Sequence, residues 1–223
     1  MSKIYNSNCE HDIYPNYSEC YYEQNIYYPE LNIFDENYDI IYEELTTIYD
    51  KHPEVWHGWL ENELNIFPFY FFGKWCSMAK KLCPRTCEII KKIPTDLLKT
   101  AAFSCLQPLS QIQPHKGWGD LANNILRCHY GISVPDNCGC VCDNFVKLHE
   151  NRKWLVFDDS KTHSSYNFSK NNEKRIIIII DMKRPSSIPL GTCTVAYSEN
   201  LLEFIKSFYD DDDINDIRTD LQI

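Results

Sequence analysis

The sequence predicts an α+β chain that is mainly β, arranged either as an α+β fold or as a β-sandwich with a helical buttress. Three observations predict it. Helical spacing of apolar residues is found before residue 95 and again near the C-terminal end. Five strand-like segments occupy the stretch between, from Thr100 to Asp181. Turn signals separate them, among them Pro108, Gly117, Gly119, Pro135-Asp136-Asn137 and Lys170-Asn171-Asn172.

The first 30 residues are rich in Tyr, Asn and Glu and carry Pro15 and Pro29, so they read as irregular or disordered, with some aromatics packing on the core. From Asp35 to Tyr49, Ile40, Ile41, Leu45 and Ile48 recur at helical spacing. A short helix is expected around Pro53 to Leu64, and an aromatic strand over Phe67 to Phe72. Pro84 sits at a helix start, and Pro94 ends that helix. The five strands are Thr100–Leu106, Ile125–Val134, Gly139–Leu148, Lys153–Phe157 and Arg175–Asp181. A last helix covers Ser198 to Tyr209, with Leu201, Leu202, Ile205 and Phe208 on one face.

A chain of 223 residues, 43% hydrophobic and 24% charged, is one globular domain with extensions. Its net charge of −10 excludes nucleic-acid binding by gross charge. That charge is unevenly spread. Residues 1–50 carry 11 acidic side chains against Lys3 alone, and residues 199–223 carry 8 against Lys206 and Arg218. Residues 51–198 carry 19 basic and 13 acidic side chains. The organisation expected is an acidic, Tyr-rich, partly helical extension (1–50), a basic domain (51–198), and an acidic C-terminal helix and tail (199–223). No apolar run is long enough to span a bilayer, and the first residues hold no signal-peptide stretch. With 11 cysteines, the expectation is a thiol-rich cytoplasmic protein.

Cys138, Cys140 and Cys142 alternate along one strand and share a face, but Cys-x-Cys-x-Cys is not zinc spacing, so reduced, half-buried thiols are expected. His115 and His163 each lie at a strand end beside a turn, about 50 residues apart, which suits a non-haem Fe(II) site. Arg175 opens the last strand and suits a dianionic co-substrate. Arg127 and His129 are two apart on one strand and so point to one face.

Five ordered motifs carry a resemblance. They are Cys83-Pro84-Arg85-Thr86 with its helix to Ile93-Pro94, Phe103-Ser104 leading to Pro114-His115-Lys116-Gly117, and Leu126-Arg127-Cys128-His129-Tyr130-Gly131. Trp154-Leu155-Val156-Phe157-Asp158-Asp159-Ser160 with His163 follows, then Arg175 to Arg184-Pro185. Phe67 to Pro185 resembles the aspartyl/asparaginyl β-hydroxylase family, Fe(II)- and 2-oxoglutarate-dependent oxygenases with a double-stranded β-helix (jelly-roll, cupin-like) fold. The resemblance implies His115 and His163 as iron ligands, with water at the position Gly117 leaves without a carboxylate and Asp159 close to it. It implies that Arg175, assisted by Ser104, pairs with the distal carboxylate of 2-oxoglutarate, while Arg127 and His129 hold the carboxylate nearer the iron. O₂ is the second co-substrate, and the substrate implied is an Asp or Asn side chain in a protein or peptide.

Two stretches depart from the family. Trp118 to Asn123 makes a longer loop that reshapes the substrate mouth and brings Asp120 as a further carboxylate, and Ser169 to Glu173 is extended. The alternative to an active hydroxylase is a catalytically silent β-helix kept as a binding module. The presence of all the implied site residues favours the enzyme.

Overall fold

The computed structural model describes residues 20–59, 63–197 and 199–209. The chain opens with strand β1 (Tyr21–Tyr22), the short helices α1 (Gln24–Tyr27) and α2 (Ile33–Glu36), and the long helix α3 (Tyr38–Lys51). A 3-10 turn at Pro53–Val55 leads into β2 (His57–Trp59), β3 (Leu64–Phe71) and β4 (Lys74–Trp75), followed by α4 (Ser77–Leu82) and α5 (Pro84–Ile90). Then come β5 (Leu98–Leu106), β6 (Ser110–His115), α6 (Gly119–Asn124), β7 (Ile125–Ser133), β8 (Cys138–Cys142), β9 (Phe145–Leu148), β10 (Trp154–Phe157), β11 (His163–Asn167), β12 (Arg175–Lys183) and α7 (Glu199–Lys206).

The larger sheet has the order β1-β10-β7-β12-β5-β3-β2, with β4 added to β3, and the smaller has the order β6-β11-β8-β9. All named strand pairs are antiparallel. From β5 to β12 the chain passes back and forth between the two sheets, which is the jelly-roll course of a double-stranded β-helix.

Strand alternation gives the larger sheet two distinct faces. Phe67, Phe69, Phe103, Cys128, Tyr130, Ile178 and Ile180 point outward into the main apolar core, where Ile41, Leu45 and Ile48 of α3 and Ile89 and Ile90 of α5 meet them. Ile176 to Ile180 form the central strand between β7 and β5, which explains their unbroken apolar run. The opposite face looks toward the smaller sheet. There the paired positions Arg127–Asp181–Thr100 and His129–Ile179–Ala102 run across β7, β12 and β5.

Several elements depart from the sequence expectation. Within the first 30 residues and just beyond, Tyr21–Tyr22 form β1, and Tyr28, Leu31 and Phe34 belong to the main core; residues 1–19 lie outside the described ones. Where a helix is expected over 53–64, residues 53–59 form a single 3-10 turn followed by β2, whose Gly58 pairs with Asn65, and residues 60–62 lie outside the described ones. The strand expected over 139–148 is the hairpin β8–β9, turned at Asp143-Asn144, where Asp143 has a φ of 45°. The loop over 118–123 is mostly α6. The helix at 198–209 is shorter, and Ser198 lies outside the described residues.

Glu44 explains the Cys83-Pro84-Arg85-Thr86 motif. It is buried on α3, and its carboxylate accepts from the Arg85 and Thr86 main-chain N–H groups at 3.0 and 2.8 Å and from Thr86 Oγ1 at 2.7 Å. A carboxylate thus caps the first turn of α5 and bolts it to α3. Glu44→Ala strands these donors and is expected to lower stability by about 2–4 kcal/mol in urea denaturation. A loss below about 0.5 kcal/mol would remove the cap from this account.

Among the described residues, ten cysteines are buried and free. Cys140 and Cys142 pack with Tyr21, Leu155 and Phe157 between the sheets, so the alternating trio shares a face as expected but is fully buried, not half-buried, because that face meets the other sheet. No helix among the described residues is long and apolar enough to cross a membrane.

Candidate active site

The two histidines at strand ends stand directly opposite each other, His163 of β11 pairing with His115 of β6. A β-bulge between His163 and Ser165 accommodates Pro114, which β6 tolerates as the edge strand of the smaller sheet. The ring centroids are 4.3 Å apart. Each ring turns the same way: His115 Nδ1 lies 2.8 Å from the Gln113 carbonyl and His163 Nδ1 lies 2.9 Å from the Lys161 carbonyl. A carbonyl can only accept, so each Nδ1 carries the hydrogen and each Nε2 presents a bare lone pair. Burial, aided by the neighbouring His115 and Arg127, pushes the His163 pKa well down. His115 stands at the exposed mouth, yet packing around its ring lowers its pKa too. Two neutral imidazoles offering lone pairs side by side suit a divalent cation.

Asp159 lies beside them, with Oδ1 3.4 Å from His163 Nε2. Burial pushes its carboxyl up to about 6, against the pull of Arg127. Gly117 makes room for this carboxylate. A Cβ at residue 117 would sit 1.8 Å from Asp159 Oδ2 and 2.8 Å from Ala122 Cβ. The carboxylate absent from position 117 is therefore replaced in space by one from the turn before β11. Gly117→Ala is expected to displace Asp159, costing about 1–3 kcal/mol of stability and weakening divalent-cation binding. Unchanged stability and cation affinity in that variant would show that Asp159 tolerates displacement. The preceding residue, Asp158, takes no part in this cluster, because the buried Arg184 holds it through both carboxylate oxygens. That pair anchors the turn and leaves Asp159 aimed inward.

Among the described residues, no cluster of three or more His, Cys, Asp or Glu side chains is placed to hold a metal ion. The site is thus one of two histidines with a carboxylate nearby. Asp120 is not part of it: it lies in the first turn of α6, where its carbonyl accepts from Asn124.

Arg127 bridges two buried carboxylates. Its Nε and Nη2 donate to Asp181 at 2.8 and 3.0 Å, and its Nη1 lies 2.6 Å from Asp159. Asp181 also accepts from Thr100 Oγ1 at 2.6 Å. Burial opposes the charge on Arg127, but Asp159 and Asp181 more than offset this and raise its pKa. The fork is largely engaged by the protein itself, so Arg127 positions Asp159 as well as facing the interior. Asp181 had a sequence signal, an acid ending an isoleucine run, but its partner was legible only from the register.

Arg175 differs. It is only 1% exposed, its Nε has no hydrogen-bond partner, and its contact with Ser104 Oγ is 3.4 Å. The neighbours that modulate its charge are Cys138, Cys105 and Cys140, with no carboxylate among them, and burial pushes its pKa down to about 10. Among the described residues it is therefore a buried cation at neutral pH without a carboxylate counter-ion. His129 is buried as well, 4% exposed, and its Nδ1 lies 3.0 Å from Nε2 of His149, a residue the sequence did not single out.

The fold and these groups define a double-stranded β-helix with two paired histidines at one end and, among the described residues, an arginine inside without a carboxylate partner. The comparisons agree with that class. Residues 35–185 match the family model described as aspartyl/asparaginyl beta-hydroxylase, and the chain belongs to that oxygenase family. It is 30% identical over 149 residues, 66% of this chain and 50% of the relative, to the ornithine lipid ester-linked acyl 2-hydroxylase of Rhizobium tropici. It is 28% identical over 164 residues, 70% of this chain and 21% of the relative, to the aspartyl/asparaginyl beta-hydroxylase of Homo sapiens. A solved oxidoreductase of the 2OG-Fe(II) oxygenase family from Burkholderia pseudomallei is similar at 9% identity and a TM-score of 0.43, over 70% of this chain and 82% of that one. The chain spans half or less of the length of these curated relatives.

Proposed function

We propose that this chain is an Fe(II)- and 2-oxoglutarate-dependent hydroxylase. The observation that carries the reading is Arg175. A buried guanidinium with no carboxylate partner among the described residues is costly unless an anion completes it, and the interior it occupies opens at a mouth lined by two neutral imidazoles with free lone pairs.

In this reading His115 and His163 hold the iron through Nε2, and Asp159 lies beside the position that Gly117 leaves without a ligand. Arg175 takes the distal carboxylate of 2-oxoglutarate through its planar fork, with Ser104 Oγ as a second donor. His129 and the remaining donors of Arg127 hold the carboxylate nearer the iron. The bound iron would supply the O₂ chemistry that inserts oxygen into a substrate C–H bond, with 2-oxoglutarate converted to succinate and CO₂. The chain's own part is to fix these groups and keep the interior dry. The buried walls at Leu155, Phe157 and Ile177 do the latter.

The substrate we favour is the β-carbon of an Asp or Asn residue in a protein or peptide. The family description supports it, as does the basic character of residues 51–198. The relative that hydroxylates a lipid acyl chain supports a second substrate class. Incubating the chain with a proteome digest and with lipid extract, plus Fe(II) and 2-oxoglutarate under ¹⁸O₂, separates the two. The expected result is ¹⁸O on Asp or Asn β-carbons together with succinate. Label in acyl chains alone would move the assignment to lipids, and no label in either would favour a silent binding module.

A further inference from the structure

We infer that His149 is a positioning residue that fixes the tautomer of His129, so that His129 presents an N–H, and not a lone pair, to a bound carboxylate. The inference rests on the reading of His129 as part of a 2-oxoglutarate site and adds a residue which that reading does not contain.

The two rings form a closed pair. They lie nearly in one plane, edge to edge, with centroids 5.3 Å apart and an interplanar angle of 26°, and His129 Nδ1 lies 3.0 Å from His149 Nε2. Both residues are buried, at 4% and 6% exposure. The outer nitrogens, His129 Nε2 and His149 Nδ1, are buried and have no hydrogen-bond partner among the described residues. Burial, with the charge of Arg175 near both, pushes both pKa values well down, so two neutral rings share one hydrogen.

That hydrogen has two possible owners. If it sits on His129 Nδ1, His129 turns a bare lone pair inward, and His149 Nδ1–H becomes a buried donor with no acceptor. If it sits on His149 Nε2, the unpartnered donor is His129 Nε2–H, and His149 Nδ1 is merely an unused acceptor. Each arrangement leaves one orphan donor and one unused acceptor, so what decides between them is the group that faces His129 Nε2. A lone pair facing a carboxylate is repulsive, whereas an N–H facing it makes a charge-assisted bond. Only the second arrangement is completed by an anion.

The backbone builds this contact. His149 follows β9 directly, and its N–H donates to the Cys138 carbonyl at 2.9 Å, which sets the ring's starting point. The chain then crosses over Gly131, where a Cβ would lie 2.0 Å from the Glu150 carbonyl oxygen. Gly131 pairs with Asn151 in an isolated parallel bridge. Arg127, His129 and Gly131 thus share one face for separate reasons: an ion pair, a ligand contact, and clearance for the segment that carries His149.

The test is long-range ¹H–¹⁵N spectroscopy of the histidine rings in the full chain, with 2-oxoglutarate affinity measured anaerobically in the presence of Mn(II). In the wild type, His129 should show an unprotonated Nδ1 and a protonated Nε2, and His149 the reverse. His149→Phe fills the same space with a ring that lacks the donor and should weaken 2-oxoglutarate binding about tenfold or more, leaving Mn(II) affinity unchanged. His149→Gln, which can donate from its amide, should restore most of the loss. A hydrogen on His129 Nδ1 in the wild type overturns the inference, whether or not the variants fold. So does undiminished 2-oxoglutarate affinity in a folded His149→Phe. A wild type that binds no 2-oxoglutarate overturns the functional reading instead, and the ring spectra still decide the tautomer.

Discussion

Replacing Arg175 with methionine is expected to weaken 2-oxoglutarate binding by at least about 30-fold while leaving divalent-cation affinity intact. Truncating one partner of a buried charge pair costs about 2–5 kcal/mol, and about 2 kcal/mol corresponds to that factor. The same variant should make the ligand-free protein more stable. Arg175 is 1% exposed and faces no carboxylate, so its charge opposes folding until a ligand completes it. Methionine is similar in length and apolar, and removing the charge should raise stability by about 1 kcal/mol or more. Isothermal titration with 2-oxoglutarate and thermal unfolding without it measure the two effects. Opposite signs are the expected outcome. If stability and affinity fall together, Arg175 is a structural residue and the site loses its anion anchor.

His163→Ala is expected to abolish succinate formation and to weaken Fe(II) binding by more than about 100-fold, since even residues behind a metal ligand are worth about 10- to 100-fold. His163 lies between His115 and Cys142 across the smaller sheet, so alanine there leaves both flanking strands paired through their backbones. Circular dichroism should therefore show a folded β protein. A folded variant that retains wild-type turnover would remove His163 from the site.

Much of this was legible in the sequence, and the reasons are physical. Alternation placed Arg127 and His129 on one face because strand side chains repeat every second residue, and the register bears this out: they pair with Asp181 and Ile179 of β12. Periodicity found α3 because its buried residues, Ile41, Leu45 and Ile48, lie three and four apart. Strands β6 and β11 carry both histidines but had too little apolar pattern to be seen. Their sequences, Ser110 to His115 and His163 to Asn167, are mostly polar, and Pro114 fits β6 only because it is an edge strand.

The supporting residues were hidden for a different reason. His149 sits in a charged turn and reads as solvent-exposed, and only the crossing over Gly131 buries it against His129. Glu44 lies on the helix among acidic neighbours, and the α5 terminus it caps is some forty residues away. Contacts of that kind depend on how distant elements pack, which a local pattern does not contain. The acidic balance misled in a similar way. The helices of residues 20–51 are part of the main core, although their composition read as that of an extension.

The central claim is that His115, His163 and Arg175 assemble one site for iron and 2-oxoglutarate together. Anaerobic visible spectroscopy tests it most directly. Fe(II) and 2-oxoglutarate added to the wild-type chain should give a charge-transfer band that neither gives alone and that His163→Ala and Arg175→Met both lose. If no band forms in the wild type, or if the same band persists in His163→Ala, the proposed site is contradicted.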